Sequence, residues 1–113
     1  VHEVGITQSI IEIAEQHARA QGASKINSVT VEIGALSGVI AESVEFCFEA
    51  CASGTLLQGT RLIIIRIPGL GRCGECGAET AMEQHTFACD SCGGFALETL
   101  QGTELRVTEL EVD

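Results

Sequence analysis

The chain has 113 residues, enough for one modest hydrophobic core with a small satellite, and its 45% apolar content excludes a disordered polymer. Its formal net charge of −10 repels nucleic acid and anionic membrane, and the cations Arg19, Lys25, Arg61, Arg66, Arg72 and Arg106 stand singly, never as a basic stripe. The longest apolar run, residues 62–65, is far too short to span a bilayer, and early acids leave no secretory h-region, so a soluble cytoplasmic chain is expected.

Residues 7–22 are expected to form a helix. Ile6, Ile10, Ile13, Ala14 and His17 recur at helical spacing as an apolar stripe, with Thr7 or Ser9 placed to cap the start and Gly22 to stop the end. His17 is read as a packed histidine on that stripe. Residues 28–33 alternate, with Val29, Val31 and Ile33 inward and Ser28, Thr30 and Glu32 outward, the pattern of a half-buried strand. A loop follows over 34–38. A second helix over 41–52 places Ile40, Val44, Cys47, Phe48 and Cys51 on one face. Cys47 and Cys51, one turn apart, read as small inward hydrophobes.

Residues 60–67 are apolar on both faces, which predicts a central strand, ended by Pro68 and Gly69. The last segment, 103–112, pairs Leu105 with Val107 and then changes phase to Leu110 and Val112, predicting a bulge near Thr108 and Glu109. With no Trp or Tyr, the core's only aromatic rings are expected to be Phe46, Phe48, Phe87 and Phe95.

From Gly69 to about Gly94 the chain turns rich in Gly and Cys and poor in aliphatics, so it cannot build a core of its own. Cys73-x2-Cys76 and Cys89-x2-Cys92, twelve residues apart, have the spacing of paired knuckles around one tetrahedral zinc ion. Gly77 and Gly93 follow each second cysteine, where the turn needs unusual backbone angles. Four thiolates leave no open coordination position, which predicts a structural Zn2+ site and no catalysis. The stretch Gly69-x-Gly71-x-x-Gly74 mimics a dinucleotide fingerprint, but no helix can start within 73–76 to receive a phosphate. His85, four residues before Cys89, is a candidate hydrogen-bond donor to a thiolate. The expected layout is an α/β body, 1–68 plus 98–113, with a zinc-ribbon-like tetracysteine unit, 69–97, inserted before the last strand.

His2 has a different chemistry. A free α-amine at Val1, the amide nitrogen of residue 2 and the His2 imidazole can close fused chelate rings in a plane, as square-planar Ni(II) or Cu(II) prefers. Glu3 can add a backbone nitrogen or a side-chain oxygen.

His2-Glu3, the stretch Ile33-Gly34-x-Leu36-Ser37-Gly38, Glu42, Phe46, Phe48, Glu49 and the tetracysteine unit occur in one order. Together they resemble the HypA family of nickel metallochaperones in hydrogenase maturation, over nearly the whole chain. The resemblance implies a nickel-binding α/β domain, with a three-stranded sheet and two helices, joined to a zinc domain. It implies Ni2+ as transferred cargo, held by Val1, His2 and Glu3. It implies as partners a GTPase accessory protein for nickel insertion, the large subunit of nickel–iron hydrogenase and, in some members, urease accessory proteins. Family members begin with Met where this chain has Val1, and some carry an acid near position 40 where Ile40 and Ala41 stand, which leaves Glu3 or Glu42 for the fourth donor. A monomer, a homodimer and a domain-swapped dimer all fit the sequence.

Overall fold

Thr7, Ile10, Ile11, Ala14 and Ala18 are buried at i, i+3, i+4, i+7 and i+11, the inner stripe of α1 (Glu3–Ala20) in a computed structural model that describes residues 2–113. The helix starts four residues before the expected residue 7. The hydroxyls of Thr7 and Ser9 turn back onto the carbonyls of Glu3 (2.6 Å) and Gly5 (3.1 Å), bonding within the helix instead of capping it. The buried stripe is also rotated from the expected one, because Ile13 is 43% exposed and His17 lies on the solvent side. Gly22, at φ +72°, ends the helix; its N–H bonds the Arg19 carbonyl and the Ala23 N–H reaches back to Ala18 (2.9 Å).

The chain then runs through β1 (Ile26–Gly34), α2 (Ala41–Ala52), β2 (Arg61–Ile67), β3 (Gly69–Cys73), β4 (Glu79–Met82), β5 (Leu97–Gln101) and β6 (Leu105–Val112). Two three-stranded sheets result, in the orders β2-β1-β6 and β4-β3-β5. In the first, β1 pairs parallel with β2 and antiparallel with β6; the second is antiparallel throughout. The architecture is the expected α/β class, with two helices and small sheets.

The central strand is β1, not the 60–67 strand. Arg61–Ile67 is an edge, and its Ile65 is 43% exposed. Apolar side chains on both faces misled the reading, whereas the true centre carries short polar residues. Ser28 and Thr30 are buried because taller neighbours on both flanking strands, Ile63 and Glu109 beside Thr30, close over them. Val29, Val31 and Ile33 join Val44 and Phe48 of α2 and Ile10, Ile11 and Ala14 of α1 in the core. Each of these side chains except Ala14, which buries one methyl, contributes about 1.5–3 kcal/mol on burial. The phase change in β6 is a bulge: Thr30 faces Glu109 and Val31 faces Val107, leaving Thr108 as the extra residue.

Only one of the four phenylalanines belongs to this core. Phe48 is 6% exposed, while Phe46, Phe87 and Phe95 are 88%, 71% and 80% exposed. On α2 the buried face is Ala41, Val44, Phe48 and Ala52; Ile40 lies outside it, and Cys47 and Cys51 are half-buried at its margins.

The three strands of the second sheet carry no clear apolar alternation and were not legible in advance. Its strand β5 crosses the expected boundary at 97/98, since residues up to Gln101 pair with β3. The two sheets meet through short connectors: Pro68 alone separates β2 from β3, and three residues separate β5 from β6. Both connectors are pinned to the 34–38 loop. Gly34 N–H bonds the Glu104 carbonyl (2.7 Å), Leu36 N–H bonds that of Gly102 (2.6 Å), and Ala35 N–H bonds that of Ile67 (2.9 Å).

Candidate metal centres

Two nearly identical turns present the four cysteines. In the first, Cys73 N–H bonds the Ala78 carbonyl (2.9 Å), Gly77 N–H bonds the Cys73 carbonyl (2.9 Å), and Glu75 N–H points at Cys73 Sγ (3.4 Å). The second repeats the scheme from Cys89, with the Gly94 carbonyl (2.8 Å), the Gly93 N–H (2.9 Å) and the Ser91 N–H to Cys89 Sγ (3.4 Å). Gly77 and Gly93 have φ of +77° and +74°, angles a side chain would resist, as the spacing predicted.

The turns bring all four sulfurs within 4.8 Å of one another. Cys73 and Cys92 stand 3.6 Å apart, as do Cys76 and Cys89. Thiolates bonded at about 2.3 Å to a common tetrahedral ion stand about 3.8 Å apart, so the cluster fits such an ion with little adjustment. Cys73 and Cys89 are buried while Cys76 and Cys92 face outward. Thr80 Oγ1 donates to Cys89 Sγ (3.8 Å), the supporting role for which His85 was one candidate; His85 is exposed. No sequence signal distinguished Thr80.

The electrostatics divide the cluster in two. The N–H groups of Cys92 and Ser91 draw the Cys89 thiol down to about 6, and those of Cys76 and Glu75 lower Cys73. The Gly94 N–H pulls Cys92 down as well, but the sulfurs of Cys73 and Cys76 outweigh it and push Cys92 up to about 12. Cys76 is likewise lowered by the Ala78 N–H yet raised overall by Cys89 and by burial. Four thiolates this close cannot all ionise without a cation among them.

At the other candidate centre, Val1 lies outside the described residues. His2 is the exposed N-cap of α1 and makes no side-chain cap. The first helical bond runs from Ile6 N–H to the His2 carbonyl (3.1 Å), so the amides of His2 and Glu3 precede the hydrogen-bonded ladder. His2 forms a ridge between two clefts. One, of about 480 Å³, is lined by Glu3, Val4, Glu42, Ser43, Phe46 and Cys47. The other, of about 550 Å³, is apolar and lies between α1 and β6, against Ile6, Ile13, Leu105 and Val107. The Glu3 carboxylate accepts the Ile40 N–H (3.3 Å). Among the described residues, only the four cysteines bring three or more potential ligands within 4.8 Å, so His2, Glu3 and Glu42 share a cleft without converging.

A family model described as the hydrogenase/urease nickel incorporation metallochaperone HypA matches residues 1–112. The chain belongs to the HypA family. It is 50% identical to the hydrogenase maturation factor HypA of Geotalea uraniireducens and 48% identical to that of Geobacter metallireducens, with all of both chains covered in each case. The solution structure of the nickel metallochaperone HypA from Helicobacter pylori superposes with a TM-score of 0.69 at 26% identity, covering 99% of this chain and 97% of that one. The HypA family is one of maturation factors, and its fold is the one found here; in this chain the tetracysteine cluster is carried by Cys73 at the end of β3 and by the turns beyond it. No helix among the described residues is long and apolar enough to cross a membrane.

Proposed function

We propose that this HypA-family chain is a nickel donor that carries Ni(II) at its N-terminus and delivers it for nickel–iron hydrogenase maturation. The ligands on this reading are the α-amine of Val1, the amide nitrogen and imidazole of His2, and Glu3. The observation that carries it is the placement of His2, exposed at the start of α1 with its amide and that of Glu3 ahead of the helical ladder. Metallating those nitrogens costs the helix no hydrogen bond. An exposed, open-sided site also suits transfer, since an ion enclosed by protein would be slow to leave. The cytoplasmic partners are a GTPase accessory protein and the hydrogenase large subunit, docking where His2 is reachable.

Zinc is the ion assigned to Cys73, Cys76, Cys89 and Cys92. When bound, it supplies a cross-link between the two knuckles and no open position for chemistry. The nickel-binding part is assigned to 1–68 with 98–113 and the zinc-binding part to 69–97; the pairing of residues 98–101 with β3 favours moving the second boundary to Gly102. Nucleic acid is not the partner, because the zinc-binding part carries Glu75, Glu79, Glu83 and Asp90 against Arg72, which Glu79 already pairs at 3.5 Å.

Nickel titration by calorimetry on protein with an unblocked N-terminus tests the proposal. One site is expected, lost in His2→Ala and in a variant whose amine is capped by one extra residue, with zinc content unchanged in both. Undiminished nickel binding by His2→Ala overturns it.

A further inference from the structure

An edge strand exposes a row of unpaired backbone groups, and folded proteins blunt it with bulges, charges, prolines or brevity. Three of the four sheet edges here are treated in that way. Strand β6 carries the Thr108 bulge with Arg106, Glu109 and Glu111, while β4 and β5 are only four and five residues long. The exception is β2: seven residues, five of them aliphatic, with no bulge in its pairing with β1 and no proline before Pro68. The Ala35 N–H bonds the Ile67 carbonyl, which sets the phase of the parallel ladder. Odd-numbered residues of β2 therefore turn their N–H and C=O groups to β1. Leu62, Ile64 and Arg66 turn theirs to the open side, where no strand pairs with them among the described residues.

The two faces of that edge call for different side chains. Leu62, Ile64 and Arg66 lie on the α2 side, where a groove of about 430 Å³ between α2 and β2 is lined by Glu45, Phe48, Glu49 and Leu62 among others. Glu45 is held by Arg66 at 3.1 Å, but Glu49 is exposed and has no ion pair among the described residues. A lysine or arginine entering there lays its methylene stem on Phe48 and Leu62 and sets its charge against Glu49. The opposite face presents Ile63, Ile65 and Ile67, with Ile65 43% exposed, and suits apolar neighbours. A second copy of β2 fits this edge poorly. It would bring leucine, isoleucine or an already paired Arg66 to Glu49, between two chains that each carry a net charge of −10.

We propose that β2 is a docking edge for an extended segment of a partner protein in which cationic residues alternate with apolar ones. The segment adds a fourth strand to the sheet, pairing with the backbone of Leu62, Ile64 and Arg66. Its cations enter the α2 groove and its apolar residues cover Ile63 and Ile65. Backbone pairing supplies the affinity and the alternation supplies the selectivity. The groove shares no residue with either cleft beside His2, so a partner held here leaves the N-terminus uncovered. The assignment stands independently of the nickel-donor reading.

Amide hydrogen exchange followed by NMR on the zinc-loaded full chain tests this. The probe is a capped peptide of alternating lysine and valine, matched in length to the seven residues of β2. Without peptide, the Leu62, Ile64 and Arg66 amides are expected to exchange fast and those of Ile63 and Ile65 slowly. Saturating peptide is expected to slow the first set roughly tenfold or more and to leave the second set unchanged. In fluorescence anisotropy, a peptide with the same residues arranged as a lysine block and a valine block binds about tenfold more weakly, as does one with glutamate in place of lysine. Glu49→Gln weakens the alternating peptide about threefold, whereas Glu83→Gln, which removes the same charge from the zinc-binding part, changes it by less than about 1.5-fold. Arg66→Pro removes an outward donor and is expected to abolish binding, while Arg66→Gln keeps that donor and retains binding. Circular dichroism reports whether Arg66→Pro is folded, and the exchange result on the parent chain decides the question without it. Equal affinity for the alternating and block peptides would reduce the effect to general charge and overturn the proposal. So would unchanged exchange at Leu62, Ile64 and Arg66 under saturating peptide. Slow exchange of those amides before any peptide is added, together with a dimer in sedimentation, would make the occupant a second copy and overturn it as well.

Discussion

Replacing Gly34 with alanine tests whether the two sheets are locked together through backbone contact. Gly34 is buried at the end of β1, and a methyl group there would lie 2.0 Å from the Gly102 oxygen, 2.2 Å from its carbon and 2.8 Å from the Glu104 nitrogen. All three are backbone atoms, so no side chain can rotate out of the way. Ordinary contact begins near 3.5 Å, and the 102–104 connector would have to retreat by about 1.5 Å. That movement breaks the Gly34–Glu104 and Leu36–Gly102 hydrogen bonds, which are 2.7 and 2.6 Å long. Each costs about 1 kcal/mol when lost, more where a partner stays buried, and overpacking adds about 1–3 kcal/mol. A total near 4 kcal/mol is a large part of the 5–15 kcal/mol typical of a folded domain. With an unfolding entropy of roughly 0.24 kcal/mol/K for a chain of this length, Tm falls by about 17 °C. Thermal melting of the zinc-loaded protein measures this. Gly5→Ala is the reference, because no atom lies within 4 Å of its added methyl and alanine favours a helix by up to about 1 kcal/mol. A Gly34→Ala protein that melts within 3 °C of the parent would refute the idea of a backbone lock.

Two further predictions concern the core and the thiols. Phe48→Ala is expected to cost about 3–5 kcal/mol in urea denaturation, whereas Phe46→Ala, two positions earlier on the same helix but 88% exposed, changes stability by about 0.5 kcal/mol or less; comparable losses would contradict the burial of α2. Zinc binding to the metal-free protein near pH 7.5 is expected to release between about two and three protons, measured by calorimetry in buffers of different ionisation enthalpy. Cys89, drawn down to about 6, has already lost its proton at that pH, and the lowered Cys73 releases one at most, while the raised Cys76 and Cys92, the latter at about 12, must still surrender theirs. Release of four protons would mean that the backbone amides do not precharge the cluster.

How much of this fold the sequence disclosed depended on what held each element. Where one residue type has a single physical use, the reading was direct. Glycine after each second cysteine announced the positive φ of Gly77 and Gly93, and the phase slip between Val107 and Leu110 announced the Thr108 bulge. Where two faces compete, it was not. On α1 the lines through Ile13 and His17 and through Ile11 and Ala18 are separated by one position, and the buried one includes Thr7, whose hydroxyl is satisfied by the Glu3 carbonyl. An isoleucine run on both faces pointed to a central strand, yet β2 is an edge. Strands β3 to β5 had no hydrophobic signature because the knuckles and backbone pairing, rather than a core, define them. The four cysteines of the second centre were legible as a spacing, but Thr80 beside them was not. At the terminus the sequence pointed to Val1, His2 and Glu3; the cleft that α2 makes beside His2 and Glu3 needed the fold.

On the proposed reading, the two centres differ in a way that lets one chain hold one metal and release another. Around the cysteines every sulfur environment is prepared before an ion arrives: backbone amides point at Cys73, Cys76, Cys89 and Cys92, and the supporting turns are closed by their own hydrogen bonds. Binding there completes a structure that little else stabilises, so loss of the ion costs folding free energy. At the terminus the sign is reversed. Two helix starts oppose a cation, and the exposed His2 shares its cleft with carboxylates that do not converge on it beforehand. On the proposed reading nickel is therefore held by ligands that return to a satisfied state when it leaves: the amides to helix-terminal donors and the His2 imidazole to solvent. A site with no structural stake in its ion has little to lose by giving it up.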